Sequence, residues 1–222
     1  MRVVANAAVS VDGKLSTRRR EQLRISGPDD FDRVDALRAD CDAVLVGVGT
    51  VLADDPSLTV DDPDRLAGRE ARGDTPQPAR VVADSRGRTP PDARVLDDAA
   101  TTYLLVSEAA PADRLDALAD RATVLTAGAD RVALGAAFED LAAAGVDRLL
   151  VEGGGELLAS LFADGLVDEL SVFVGSLVVG GRDAPTLVDG DGFVESFPRL
   201  DLASVRRLDD GVLLTYDVDE PP

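Results

Sequence analysis

The chain has 222 residues, 45% of them hydrophobic, and its 42 acidic against 23 basic side chains leave a net charge of −19. A field of that sign repels nucleic acid and anionic lipid, and no run approaches the roughly 18 apolar residues of a membrane span. Histidine is absent and cysteine occurs once, at Cys41, which excludes a Ser-His-Asp triad, a histidine general base, a His-based zinc site, a zinc-deaminase signature and an internal disulfide. Arg2 to Val9 is predicted to be a strand, with no signal-peptide pattern before it, so a cytoplasmic setting is expected. Pro28 to Ala39 is predicted to be a helix with Ser26 or Gly27 near its cap and Pro28 in its first turn. Cys41 has an apolar flank and is expected to be a buried structural thiol. Ala43 to Val48 is fully apolar, as for a strand buried on both faces. Asp61 to Pro78 is rich in Asp, Gly, Pro and Arg and reads as an exposed loop. Arg80 to Asp84, Thr102 to Val106 and Thr123 to Thr126 read as strands, with a helix between the last two beginning near Pro111. Ala133 to Ala144 reads as a helix ending at Gly145. Asp147 to Glu152 reads as a strand, Gly153-Gly154-Gly155 as a turn and Glu156 to Ala163 as a helix. Val167 to Val174 and Leu202 to Val218 read as strands, with Gly211 in a hairpin turn. This alternation predicts one α/β domain over 1–222, with a mostly parallel, mixed sheet and an antiparallel C-terminal hairpin.

Three segments carry chemistry. In Leu150-Val151-Glu152-Gly153-Gly154-Gly155-Glu156-Leu157-Leu158 a buried strand meets three glycines and then a helix. Glycines admit a ligand to the backbone, and a helix N-terminus offers N–H groups and partial positive charge to a phosphate. The motif is neither GxGxxG nor a Walker loop, and a glycine turn at such a junction is often only a turn. Glu152 sits at the carboxyl end of its strand, where open α/β sheets place ligands. Val46-Gly47-Val48-Gly49-Thr50-Val51-Leu52-Ala53-Asp54-Asp55-Pro56 likewise leads from a strand to a short helix, with Thr50 a candidate cap. Asp54 and Asp55 are adjacent, so their carboxylates diverge and no shared metal site is expected. Asp12-Gly13-Lys14 follows the first strand, and Asp12 and Lys14 are expected at the same sheet edge as the other two segments, framing one cleft.

In this order the segments resemble the reductase domain of riboflavin biosynthesis over nearly the whole chain. The resemblance is carried by Ser10-Val11-Asp12-Gly13-Lys14, by Arg24-Ile25-Ser26-Gly27 with Leu37-Arg38-Ala39, by Gly49 to Val60, and by Val151-Glu152-Gly153-Gly154 with Gly165-Leu166-Val167-Asp168-Glu169-Leu170. The match over Gly49 to Val60 is the most specific. The resemblance implies a dihydrofolate-reductase-like fold, a homodimer, and NADPH as hydride donor for reduction of a ribosylamino group to ribitylamino. Carried over by position, Val9 (through its backbone), Thr50, Asp54, Ser85 and the stretch Gly154, Gly155, Glu156, Leu157 to Ser160 would contact NADPH. Arg38, Leu58 and Glu152 would contact the substrate, Arg38 as a fork for its 5′-phosphate. Bacterial members carry an arginine near Asp61 and a tryptophan at Arg24; Arg24 is a weaker candidate for a cofactor phosphate. A free-standing form resembles the archaeal and fungal type, which would reduce the diaminopyrimidine before deamination.

Asp12 and Glu152 are the candidate acids or orienting groups. The competing readings are reduction of the deaminated aminouracil, a dihydrofolate or pterin reductase, and a nucleotide-binding module without activity. The acids are dispersed along the chain and lysine occurs once, a pattern of proteins that keep their surface hydrated in high salt.

Overall fold

The computed structural model describes residues 1–21 and 23–219. Apart from one added helix, the chain alternates strands and helices in the order the sequence predicts, and it groups into two compact units. One unit holds residues 35–150 with Met1; the other holds residues 2–34 and the chain from Val151 onward.

In the first unit the strands β2 (Ala43–Gly47), β3 (Ala79–Ala83), β4 (Thr102–Val106) and β5 (Thr123–Thr126) lie side by side and parallel. β6 (Arg148–Val151) lies beside β2. Val44, Leu45, Val46, Val81, Val82, Leu104 and Leu105 are fully buried, which their unbroken apolar runs require of strands covered on both faces. Cys41 is fully buried as well. The connecting helices are α2 (Val48–Asp54), α3 (Pro63–Arg72), α4 (Ala112–Leu118) and α5 (Leu134–Ala143).

The helix α3 corrects the expectation of a loop from Asp61 to Pro78. Asp62 caps it, its carboxylate accepting from the N–H groups of Asp64 and Arg65, and Gly73 ends it at φ 89°. The inward residue is Arg69, only 2% exposed, which donates to the carbonyls of Ala39, Cys41 and Thr75. Arg72 adds a bond to Ala39 O. An arginine therefore takes the place of an apolar anchor, and hydrophobic periodicity does not show it.

In the second unit β1 (Arg2–Ser10) runs parallel to β7 (Glu169–Gly175), which pairs antiparallel with β9 (Gly211–Val218), and β9 with β8 (Leu200–Leu208). The helix α1 (Pro28–Ala39) runs from this unit into the first, and α6 (Gly155–Ala163) belongs here. Arg33 of α1 donates to Asn6 Oδ1 of β1 and Ser171 Oγ of β7, and pairs with the buried Asp30 at 2.7 Å. Gly27 stands at the N-cap position as expected, its carbonyl accepting from Phe31 N, and the capping side chain comes from elsewhere. Ser26 donates to the Asp30 carboxylate, while the N–H groups of Asp29 and Asp30 donate to Asp209, 180 and 179 residues away. The hairpin turn is Asp209–Asp210, with Asp209 at φ 47°, so Gly211 is the first residue of β9 rather than part of the turn. It must be glycine there, because a Cβ would collide with Val174 O and the Phe173 ring.

Candidate active site

In the first unit the candidate residues follow the carboxyl ends of neighbouring parallel strands. β2 runs into α2 with no loop between them. Gly47 is therefore the extended N-cap, without a side-chain bond, and Thr50 lies inside the helix rather than capping it. Asp54 ends α2, and partial burial pushes its carboxyl above the usual range. Asp55 points elsewhere: it adopts φ 41°, its N–H closes on Val51 O, and its carboxylate accepts from Arg94 N. The two acids diverge, and no cluster of metal-ligating side chains occurs among the described residues.

Leu58 is 2% exposed and has φ 54°. That conformation is strained for leucine, and what Leu58 can offer a ligand is its backbone. Arg38 donates to Thr59 O at 2.9 Å, which brings the substrate candidates Arg38 and Leu58 together. One turn earlier in α1, Asp35 accepts from the N–H groups of Asp61 and Asp62 and pairs with Arg65 at 2.9 Å. Burial alone would raise the Asp35 carboxyl, but these bonds outweigh it and hold it below the usual range. Asp61 thus contributes its backbone N–H to this arrangement.

After β3, Ser85 Oγ accepts from Val132 N at 3.1 Å and Ser85 O accepts from Ser107 Oγ at 2.8 Å. Asp84 before it is fully buried and accepts from Thr89 N and Oγ1. Asp84 and Ser107 were not anticipated as parts of this edge. Their signal was a polar residue directly after each of two apolar strands.

In the second unit Val9 is buried near the end of β1, paired with Val174 of β7. Asp12 is exposed, and its carboxylate is fully engaged. It accepts from Ser10 Oγ at 2.7 Å and from the N–H groups of Val179 and Gly180 at 3.0 and 2.7 Å. These bonds hold its pKa at about 2. Lys14 Nζ donates to Ala184 O, and Lys14 bridges Thr186. The same segment reaches the glycine turn, where Asp189 N donates to Gly155 O at 3.1 Å and the Asp189 carboxylate accepts from Thr186 N and Oγ1.

The turn itself has Gly153 at φ 129° and Gly154 at φ 97°. α6 begins at Gly155, one residue before the predicted Glu156, and has no side-chain N-cap. A Cβ on Gly155 would collide with Thr186 O. Leu157 is buried, so only its backbone N–H is available to a ligand; Glu156 is exposed and Glu152 half-buried. The structure therefore ties the opening turn to the glycine turn through residues 177–189, which the sequence did not single out. Arg24 stacks over the Phe31 ring, 5.9 Å from its centroid.

The profile of the family described as RibD C-terminal domain matches residues 1–214. The chain is 45% identical over 213 residues to a 2,5-diamino-6-ribosylamino-4(3H)-pyrimidinone 5′-phosphate reductase of Archaeoglobus fulgidus, covering 96% of each chain. It is 46% identical to the Methanothermobacter thermautotrophicus protein of the same name, covering 97% of each. A riboflavin biosynthesis protein RibD of Bacillus amyloliquefaciens is 34% identical, and there the chain spans 56% of the relative. Among solved structures, a pyrimidine reductase-like protein of Corynebacterium diphtheriae superposes with TM-score 0.80 at 19% identity, covering 99% of this chain and 92% of that one. Acinetobacter baumannii RibD superposes with TM-score 0.79 at 25% identity, covering 98% and 58%. The fold is thus the dihydrofolate-reductase-like α/β fold of these reductases, and the chain belongs to the RibD C-terminal domain family.

Proposed function

We propose that this enzyme reduces the ribosylamino side chain of 2,5-diamino-6-(5-phosphoribosylamino)pyrimidin-4(3H)-one to the ribitylamino form in riboflavin biosynthesis, with NADPH as donor. The observation that carries the substrate is the 45–46% identity to archaeal reductases of that name over nearly the full length of both partners.

The cofactor reading is supported by the α6 N-terminus. Its two left-handed glycines and missing side-chain cap leave backbone N–H groups to a phosphate. In this reading Val9, Thr50, Asp54, Ser85 and Gly154 to Leu157 hold NADPH, while Arg38, Leu58 and Glu152 hold the substrate. When bound, the nicotinamide supplies a hydride to C1′ of the open-chain imine, whose nitrogen takes up a proton to give the amine. Asp12 is poorly suited to donate that proton, since its anion is held by three hydrogen bonds; it orients the 179–180 backbone. Glu152 or water is the remaining source.

The reading extends to a cytoplasmic homodimer adapted to high salt, acting on a small molecule rather than nucleic acid or membrane; among the described residues no helix is long and apolar enough to cross a membrane. The test follows NADPH absorbance in high salt with the diamino and the deaminated substrates in parallel, and dihydrofolate as a third arm. Turnover of the diamino compound is expected; cofactor binding without oxidation on any substrate overturns the assignment. In the same assay Glu152→Gln is expected to lower kcat or raise KM, and unchanged values remove Glu152 from the site.

A further inference from the structure

The acidic residues thin out in one segment. From Gly13 to Pro28 the chain holds five of its 23 basic side chains, Lys14, Arg18, Arg19, Arg20 and Arg24, and one of its 42 acids, Glu21. Lys14 is engaged by Ala184 O and Arg24 by the Phe31 ring. The three consecutive arginines are exposed. They stand on a hydrogen-bonded turn: Thr17 O accepts from Arg20 N at 2.8 Å, Thr17 Oγ1 accepts from Arg19 N at 3.2 Å, and Thr17 N donates to Glu21 O at 3.4 Å. Arg20 closes the turn at φ 60°, a conformation that is unfavourable for a residue with a side chain. Glu21 approaches Arg19 at 4.0 Å with both side chains well exposed, a pair that contributes little. Among the described residues Arg18 and Arg20 have no carboxylate partner.

This turn is built onto the glycine turn through the segment 181–186. Lys14 bridges Thr186, Leu15 N donates to Pro185 O at 2.9 Å, and a Cβ on Gly181 would stand 3.8 Å from that of Arg18. Residues 14–18 and 181–186 therefore run antiparallel as a ribbon. At one end Thr186 O packs so closely on Gly155 that a Cβ there would collide; at the other stand Arg18 to Arg20. Four residues of extended chain, about 13 Å, separate Lys14 from Arg18. Arg182 and Asp183, next on the ribbon, are both exposed and offset each other in charge.

We propose that Arg18 and Arg20 bind a phosphate group of a ligand held at the glycine turn or the opening turn. The proposal rests on the reductase reading above, in which cofactor and substrate both carry phosphate esters. Adjacent guanidinium groups repel one another, and a phosphate dianion between them turns that repulsion into paired, charge-assisted hydrogen bonds that match the guanidinium fork. The net charge of the whole molecule does not decide the occupant. Charges further off than the Debye length, about 10 Å at 0.1 M salt and about 3 Å at 1 M, are screened. A small phosphate ester on the turn therefore meets the arginines and few carboxylates. A nucleic acid or an anionic membrane extends past the turn onto the acidic surface beyond it and is held off there. The arginines act by contact rather than by steering: long-range attraction fades in high salt, whereas a hydrogen-bonded guanidinium–phosphate pair persists.

The experiment uses the full chain in about 0.2 M and about 2 M potassium chloride, which span strong and weak long-range attraction. The variants are Arg18→Gln with Arg20→Gln, Arg18→Lys with Arg20→Lys and, as a control removing the same charge from β8, Arg206→Gln with Arg207→Gln. All four arginines are exposed, and thermal melts report that each variant folds. NADPH binding is read by fluorescence. KM and kcat are read by NADPH absorbance with the phosphorylated diaminopyrimidine and with its dephosphorylated riboside, and binding of inorganic pyrophosphate by calorimetry. The glutamine pair is expected to raise the Kd of NADPH or the KM of the phosphorylated substrate by about tenfold or more in both salts, with kcat unchanged. A rise in Kd assigns the phosphate to the cofactor; a rise in KM that the riboside does not share assigns it to the substrate. The lysine pair, which keeps the charge and loses the fork, is expected to fall between. Kd and KM within about twofold of wild type, a loss equalled by the control pair, or a loss confined to low salt overturns the site. A molar mass that drops in the glutamine pair alone puts an acidic surface of a second copy on the turn and overturns it too. A wild type that binds pyrophosphate more tightly than the glutamine pair does but oxidises no NADPH keeps the site and overturns the reductase reading.

Discussion

Asp12 shows how a residue's surroundings select its chemistry. Its position in the opening turn, after the first strand, made it a candidate acid, but three donors converge on its carboxylate and its pKa falls to about 2. The folded pKa lies below that of the unfolded chain, so the tether it makes is fully present above the ordinary carboxylate range. It is lost as pH falls through about 4 toward 2. Hydrogen exchange at Val179 and Gly180 is therefore expected to stay protected down to mildly acid pH and to open below it. Asp12→Ala is expected to open the same amides at neutral pH. Protection unchanged in that variant would show that the tether lies elsewhere, in Lys14 and its bond to Ala184 O. Leu58 makes a related point: the resemblance marked it as a substrate residue, and the structure buries it at a left-handed φ, so its side chain does not serve that role.

At the scale of elements, two helices depend on partners far away in sequence. α1 receives its N-terminal cap from Asp209 in the β8–β9 turn, and Gly27 has no Cβ because one would collide with that carboxylate. Asp209→Ala is expected to cost about 1 kcal/mol, the usual value of a lost cap, read as a lower midpoint in denaturant unfolding at unchanged slope. At its other end α1 is closed by α3, where Arg69 and Arg72 both donate to Ala39 O. Arg69→Ala leaves the buried carbonyls of Ala39 and Cys41, and the more exposed carbonyl of Thr75, without this donor. It is expected to cost about 3 kcal/mol, since charged hydrogen bonds are lost and desolvated acceptors remain. A midpoint shift smaller than that of Asp209→Ala would contradict the anchoring role of Arg69.

At the scale of the whole molecule the net charge of −19 is the dominant property. Self-repulsion among carboxylates falls as the Debye length shrinks from about 10 Å at 0.1 M salt to about 3 Å at 1 M. The melting temperature is therefore expected to rise with potassium chloride over that range, and a flat response would detach the acidity from salt adaptation. This property, the alternation of strands with helices, and the ordered Asp-Gly-Lys, Gly-Thr to Leu-Thr and Glu-Gly-Gly segments were all legible in the sequence. Each rests on local composition, periodicity or a short motif, and these survive folding unchanged. The C-terminal strands and the buried runs around Leu45, Leu104 and Leu150 were legible for the same reason. The helix α3 was not, because its inward anchor is an arginine whose acceptors lie some thirty residues earlier in the chain. Nor were the Asp209 cap, the strap of residues 177–189 across the opening and glycine turns, or the exposed apolar residues Leu202 and Val205 on the β8–β9 hairpin. The cap and the hold on the opening turn depend on polar groups that meet across more than a hundred residues, and a hydrogen bond or an uncovered sheet face has no sequence period. The sequence alone determined the fold class and the family; only tertiary structure decided which charges are partnered, which glycines are obligatory and which apolar residues stay uncovered.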